Sequence, residues 1–222
     1  MNLLAHALLA YATLPDESGE TCTGALMADY FSGQRVEAYP AGIRIGIGQH
    51  RAIDAFTDGH PAFAACRNAI AAAGAPRFTA GILTDIFWDH ALASEWSIRG
   101  LSLCGLELEP FCDRVYAMLD ATKSCQSPGF AEAVEWMTER RWLSSYASLD
   151  GIERTLRGLS GRMSGRPDLA AGVAILVAED RLIRSTFSAF WPELVDFSRT
   201  WAERDLAERV PVGRNPAVRA PS

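Results

Sequence analysis

The sequence lacks any uninterrupted apolar run of the roughly 18 residues that a membrane-spanning helix requires. Its apolar start, MNLLAHALLAYATLP, has no basic region and is interrupted by His6, so it does not fit a secretion signal. The five cysteines form no CxxC pair and are odd in number, which favours reduced thiols in a cytosolic protein. A net charge of -6 argues against general nucleic-acid binding. These absences predict a soluble cytoplasmic protein that binds neither membranes nor nucleic acids.

Motifs of several common enzyme classes are also absent. The chain has no GxSxG elbow, no Walker loop and no HExxH motif. The glycines of GIRIGIG lack the strand-turn-helix setting of a dinucleotide site. A cysteine nucleophile paired with His50 or His90 stays open, although nothing singles out one thiol.

Helical periodicity dominates the chain, whereas alternating strand patterns are scarce. With 49% hydrophobic residues, the chain can bury one full core. We therefore predict an all-α, single-domain helical bundle over residues 1–208 and a disordered tail over 209–222. Gly42, Gly46 and Gly48 each cost a helix about 1 kcal/mol relative to alanine, but they could instead permit close helix packing. The predicted helices cover 2–13, 20–32, 40–59, 61–74, 78–97, 106–122, 129–145, 148–163 and 167–206, the last with a break allowed at Pro192.

Histidines and acids concentrate in the first 90 residues, which contain all four histidines of the chain. In HRAIDAFTDGHP, His50, Asp54 and Asp58 are four residues apart and share one helix face. Asp85 and Asp89 in GILTDIFWDH have the same spacing. Two antiparallel helices could thus present His50 and Asp54 opposite Asp85 and Asp89, as helical bundles do when they bind metals.

Imidazole and carboxylate groups together suit Mn²⁺, Fe²⁺, Zn²⁺ or Mg²⁺, and the lack of cysteine argues against structural zinc. In the alternative interpretation, each aspartate caps a helix, pairs with an arginine or faces solvent, and His6 is a buried structural histidine.

Several segments, in order, resemble the acyl carrier protein phosphodiesterase family, which is similar to the HD-type metal-dependent phosphohydrolases. These segments are MNLLAHALLA, TGALMADYFSG, GIGQHRAIDAFTDGHP, AGILTDIFWDHALASEW, WLSSYASLDGIERTLRGLSGRM and FWPEL. Two features depart from the pattern. Ala25 stands where the family usually has asparagine, which could shift the substrate preference, and the Asp89-His90 pair has the reverse order of an HD dyad.

The resemblance implies an enzyme of lipid metabolism that removes 4'-phosphopantetheine from holo acyl carrier protein with a divalent cation, Mn²⁺ foremost and Mg²⁺ or Fe²⁺ as alternatives. A histidine would protonate the serine leaving group, and Arg51 would bind a phosphate oxygen. The expected metal ligands are Asp29, His50, Asp54, Asp85, Asp89 and His90. The expected catalytic residues are His6, Asp58 and His60, and the expected substrate-binding residues are Asn2, Arg51, Arg154, Arg157, Arg162 and Arg166.

Carrier proteins are small and acidic, so an enzyme of net charge -6 needs a locally positive face to attract one. The segment RTLRGLSGRMSGR supplies four arginines without an intervening acid. In the alternative interpretation, this segment is a solvated helix end and loop. Two other functions stay open: hydrolysis of a small nucleotide-like phosphodiester, and non-catalytic binding of a carrier protein.

Overall fold

A computed structural model describes residues 1–14, 16–30, 36–163, 165 and 167–209. This part of the chain is helical and contains no strand, which confirms the all-α prediction. None of its helices is both long and apolar enough to cross a membrane. Arg166 lies outside the described residues, as does the predicted tail beyond Arg209. The helices are α1 (Leu3–Thr13), α2 (Glu20–Met27), α3 (Ala41–Gly59), α4 (Pro61–Ala72), α5 (Ala80–Ser94), α6 (Trp96–Arg99), α7 (Leu101–Cys104), α8 (Leu108–Ala121), α9 (Pro128–Glu139), α10 (Trp142–Ser145), α11 (Leu149–Arg162), α12 (Gly172–Ala178) and α13 (Asp180–Arg209).

Three of the predicted helices are divided, and those predictions were wrong in their continuity. The predicted helix 78–97 is interrupted at Glu95, between α5 and α6. The predicted helix 129–145 is interrupted at Arg141, whose backbone is left-handed with φ 51°. The Arg141 guanidinium pairs with Glu109 and Asp113 on α8, and these ion pairs hold the interruption in place. The predicted helix 167–206 is interrupted at Glu179, while Pro192 lies inside the continuous helix α13.

The remaining predicted helices differ at their ends. Helix α2 stops at Met27 and continues as a 3-10 turn over Ala28–Tyr30. Helix α5 starts later than predicted because Phe78, just before it, has a left-handed backbone with φ 66°. A residue with a left-handed backbone cannot continue a right-handed helix, and the spacing of hydrophobic residues does not reveal where such a residue occurs.

Helices α2 and α3 cross at glycines, as the close-packing interpretation allowed. A Cβ atom on Gly24 would lie 2.1 Å from the carbonyl oxygen of Ile43, and one on Gly46 would lie 2.0 Å from that of Thr21. Only glycine permits such an approach between two backbones. The crossing brings the second half of α3 against the end of α2.

Helix α5 is buried on almost every side and forms the centre of the core, with Phe87 and Trp88 fully buried. Helix α1 packs against both α3 and α5. Its first turn is held by Asp89 of α5, whose carboxylate accepts hydrogen bonds from the backbone N–H groups of Leu4 (2.8 Å) and Ala5 (3.3 Å). This packing brings polar residues of three helices together at the start of α1.

Candidate metal centre

His50, on the buried face of α3, is the centre of a polar cluster. Its Nδ1 donates a hydrogen bond to the carbonyl oxygen of Ala25 at 2.8 Å, a contact that the crossing of α2 and α3 makes available. Its Nε2 lies 3.2 Å from an Asp29 oxygen and 3.0 Å from an Asp54 oxygen. Because Nδ1 is the donor, Nε2 turns a lone pair toward two carboxylates unless a proton or a metal ion lies between them.

The charge state of this group follows from its neighbours. Burial lowers the pKa of His50, but hydrogen bonds to Asp29 and Asp54 outweigh burial and raise that pKa to about 9. A hydrogen bond from His50 in turn lowers the pKa of Asp29. Burial raises the pKa of Asp54, yet hydrogen bonds from His50 and His6 bring it well below its usual range. The metal-free cluster thus holds two carboxylates around a protonated imidazole.

His6, on α1, stacks on His50 with ring centroids 3.9 Å apart. Its Nε2 lies 3.1 Å from Asp54, and its Nδ1 is buried without a hydrogen-bond partner in the described part of the chain. Burial lowers the pKa of His6 to about 4, so this imidazole is neutral at neutral pH. A neutral imidazole suits metal binding better than proton donation.

The three side chains fit a transition metal. One ligand atom each from His6, His50 and Asp54 lies within 4.8 Å of the others. Ligands at about 2.0–2.2 Å from one ion are necessarily within about 4.4 Å of each other, so a small adjustment suffices. Two imidazoles with a carboxylate suit Mn²⁺, Fe²⁺ or Zn²⁺ better than Mg²⁺, which prefers oxygen ligands.

Asp85 of α5 adds a further carboxylate to the cluster, near Asp54. The α-amino group of Met1 lies 2.9 Å from Asp85 and 3.6 Å from Asp54, so a cationic nitrogen already lies between these carboxylates. Burial raises the pKa of Asp85. Of the residues that the sequence predicted to face each other on α3 and α5, Asp54 and Asp85 both contact the Met1 amino group, so the start of α1 lies between them.

The structure does not bring two other predicted ligands, Asp89 and His90, to this cluster. Both oxygens of Asp89 accept hydrogen bonds from the first turn of α1, as described above. His90 donates from Nδ1 to the carbonyl oxygen of Tyr146 at 2.7 Å and lines a different pocket with Asp180 and Arg184. Neighbouring residues of a helix differ by about 100° in direction, which separates His90 from the face of Asp85 and Asp89.

Of the remaining α3 residues, Asp58 and Arg51 are exposed, and the described part of the structure gives neither a hydrogen bond nor an ion pair. His60 follows α3 and caps α4, accepting at Nδ1 from the backbone N–H of Ala62 (3.1 Å), and its Nε2 lies 3.4 Å from Glu193. Ten residues of helix separate His60 from His50, which places it about 15 Å along the axis. His60 thus has a structural role here.

The sequence is similar to those of known proteins. The family model described as acyl carrier protein phosphodiesterase matches residues 1–194. This chain belongs to the acyl carrier protein phosphodiesterase family. Two relatives bear that name: one from Enterobacter sp. (strain 638), 29% identical, and one from Serratia proteamaculans (strain 568), 30% identical, each aligned over 88% of this chain and 96% of the relative. No solved structure matches, so the likeness to HD-type folds stays a prediction.

Several polar contacts near the cluster of this phosphodiesterase-family protein were not predicted from the sequence. Asn2, which the sequence predicted to bind substrate, caps α1: it accepts from the Leu3 N–H at 2.9 Å and donates to the Tyr146 hydroxyl at 3.1 Å. The indole N–H of Trp142 donates to the same hydroxyl at 3.0 Å. The spacing of four between Trp142 and Tyr146 in WLSSY could have indicated their contact. Nothing in the sequence could have indicated that the backbone carbonyl of Ala25 accepts a hydrogen bond from His50.

Three of the predicted substrate-binding arginines lie on α11. Arg154, Arg157 and Arg162 are exposed. Arg157 pairs with Glu153 on the next turn. The Arg162 guanidinium lies 5.6 Å from the ring centroid of Trp136 and is within hydrogen-bonding reach of Tyr30. Because Tyr30 follows Asp29 in the chain, the basic end of α11 is beside the cluster.

Proposed function

We propose that this protein hydrolyses the phosphodiester that joins 4'-phosphopantetheine to a serine of holo acyl carrier protein, in the cytoplasm and with a divalent cation. The products are apo acyl carrier protein and 4'-phosphopantetheine. Membership of the family and the names of the relatives support the reaction. The observation that carries the cation is the His50 Nε2 atom, which faces two carboxylates beside a second, neutral imidazole.

His6, His50 and Asp54 would hold the cation, with Asp29 or Asp85 as a further carboxylate. Mn²⁺ is our first choice because the set combines nitrogen and oxygen donors, and Fe²⁺ and Mg²⁺ are the alternatives. When bound, such an ion offsets negative charge on the phosphoryl oxygens and lowers the pKa of a water molecule. In this proposal, His6 is a ligand and not the proton donor.

The other residues bind and orient. The Ala25 carbonyl fixes His50 in the tautomer that presents Nε2 to the cluster. Arg51, exposed and next to His50, would donate to a phosphate oxygen with its planar guanidinium. Arg154, Arg157 and Arg162 would attract the acidic carrier protein to the side of the molecule where Tyr30 adjoins the cluster.

The test is to incubate the protein with holo acyl carrier protein and Mn²⁺ and to measure the intact mass of the carrier protein. We expect the mass to fall by that of the 4'-phosphopantetheine group, and we expect excess chelator to stop the reaction. Asp54→Asn should abolish the reaction, while Asp120→Asn, the same change at an exposed position on α8, should leave it unchanged.

Two other outcomes would replace the proposal. Hydrolysis of small phosphodiesters without any change in the carrier protein would indicate a small-molecule phosphohydrolase. Tight binding of holo acyl carrier protein that is unaffected by Asp54→Asn, with no mass change, would indicate a carrier-protein binder. Full turnover in excess chelator would remove the cation from the mechanism.

A further inference from the structure

A pocket of about 460 Å³ opens between α9, α10 and α11. We call it the tryptophan pocket because Trp136 and Trp142 form its walls. Thr155 and Ser145 also line it, and the exposed Arg140, Arg154 and Arg157 surround them. Its volume is within the range of about 300–1,000 Å³ that small-molecule sites occupy.

We propose that the tryptophan pocket binds the pantetheine arm of the substrate, an uncharged flexible chain with two amide groups that ends in a thiol. This proposal rests on the proposed function, since it names where the part of the substrate beyond the phosphate lies. It assigns to Trp136 and Trp142 a substrate-binding role that the sequence did not suggest.

The walls of the pocket are rigid aromatic surfaces. The two indole rings meet edge to face, with centroids 4.2 Å apart. The Trp142 ring is fixed by its hydrogen bond to Tyr146, and the Trp136 ring lies beneath the Arg140 guanidinium at 5.0 Å. Planar amides stack on indole faces, and guanidinium groups donate to amide oxygens. The pocket therefore offers both kinds of contact that an amide-containing chain requires.

The pocket is connected to the metal centre by two sets of contacts. Along one, Asp29 is followed by Tyr30, which is within reach of Arg162, and Arg162 lies over both indoles, at 5.6 Å from Trp136 and 6.0 Å from Trp142. Along the other, Asn2 and Trp142 donate to the same hydroxyl. A pantetheine arm is about as long as four or five extended residues, which span roughly 15 Å, so the proposal requires the pocket to lie within that reach of the phosphate.

Carboxylates of the carrier protein are a less suitable occupant. The less exposed part of the lining consists of the half-buried indoles and the buried Thr155, whereas the arginines of the lining are exposed. One of these charges, that of Arg157, is already paired with Glu153. Protein carboxylates would bind at the rim and leave the interior unfilled, while an uncharged chain fills it.

The experiment measures binding without turnover, by isothermal titration calorimetry of the full chain with pantetheine, with 4'-phosphopantetheine and with inorganic phosphate. Because Trp136 supplies one of the two indole surfaces, Trp136→Ala should weaken pantetheine binding by about tenfold or more. The affinity for inorganic phosphate should not change. Phe78→Ala, which removes an aromatic ring that is 84% exposed on the loop before α5, is the matched control and should bind pantetheine normally.

If Trp136→Ala is unstable, Trp136→Phe gives the test, because it keeps the packing and reduces the stacking surface. Equal pantetheine affinities for the wild type and the Trp136 variants would overturn the proposal, as would a wild type that does not bind pantetheine. A salt-sensitive rise in KM for holo acyl carrier protein without loss of pantetheine binding would place protein carboxylates in the pocket. A wild type that binds pantetheine in the pocket but leaves holo acyl carrier protein intact would refute the proposed reaction and support the pocket.

Discussion

Replacing Gly46 by alanine should force apart the two helices that hold His50 in place. The new Cβ atom would lie 2.0 Å from the Thr21 carbonyl oxygen and 2.7 Å from the Ala25 amide nitrogen. Ordinary contacts begin at 3.4 Å, so α2 and α3 would have to separate by about 1.4 Å. Both clashing groups are backbone, so no side chain can turn aside to relieve them.

The magnitude follows from two opposing effects. Overpacking costs about 1–3 kcal/mol, and a clash between backbones belongs at the upper end. Alanine's better helix propensity returns about 1 kcal/mol. We expect the free energy of unfolding to fall by about 2 kcal/mol, equivalent to a decrease in Tm of about 4–8 °C for a chain of this size.

Urea unfolding followed by far-UV circular dichroism measures this loss. Gly59→Ala is the matched control, because Gly59 is on the same helix and a Cβ there meets nothing within 4 Å. The Gly46→Ala change should also weaken Mn²⁺ binding, since moving Ala25 lengthens the 2.8 Å bond that orients His50. Equal unfolding free energies for the two variants would refute the reasoning.

Three further predictions concern charged residues. Asp54→Asn should keep the fold but weaken Mn²⁺ binding by more than about 100-fold in calorimetry; unchanged affinity would remove Asp54 from the site. Burial raises the pKa of Asp89 to about 7, above its ordinary 3.8. In the pH window between these two values, the folded state binds a proton that the unfolded state has released. The free energy of unfolding therefore falls as the pH rises through this window. Asp89→Asn should flatten that decline in urea unfolding of the metal-free protein, and an unaltered slope would contradict it. Reversing Arg157 and Arg162 to glutamate should raise KM for holo acyl carrier protein about tenfold, or about 1.4 kcal/mol, an effect that fades with salt. The same reversal should not change hydrolysis of a small diester, and Arg204→Glu is the control. Equal losses on both substrates would count against a role of these arginines in binding the carrier protein.

Helix α3 shows what the sequence could predict. Pro40 disfavours helix before it and Pro61 starts the next one, so the predicted range 40–59 agrees with the observed Ala41–Gly59. The spacing of four also anticipated that His50 and Asp54 would meet, and they lie 3.0 Å apart. Local rules determine both features.

Asp89 shows where local rules end. Periodicity correctly placed Asp85 and Asp89 on one face of a buried helix, but it could not tell which groups that face would meet. Tertiary packing turned Asp85 toward the cluster and placed the first turn of α1 against Asp89. A carboxylate that binds a metal and one that caps a helix have the same sequence pattern, and only the neighbouring element distinguishes them.

The hydrogen bond from His50 to the carbonyl of Ala25 has a consequence for protein engineering. Because the acceptor is a main-chain atom, every residue type at position 25 supplies it, and the orientation of His50 does not depend on which side chain stands there. Ala25 is only 1% exposed, so a replacement side chain must be small, and a polar one needs a hydrogen-bond partner. Position 25 can therefore be varied among small residues to search for altered substrate preference while the tautomer of the neighbouring histidine is retained.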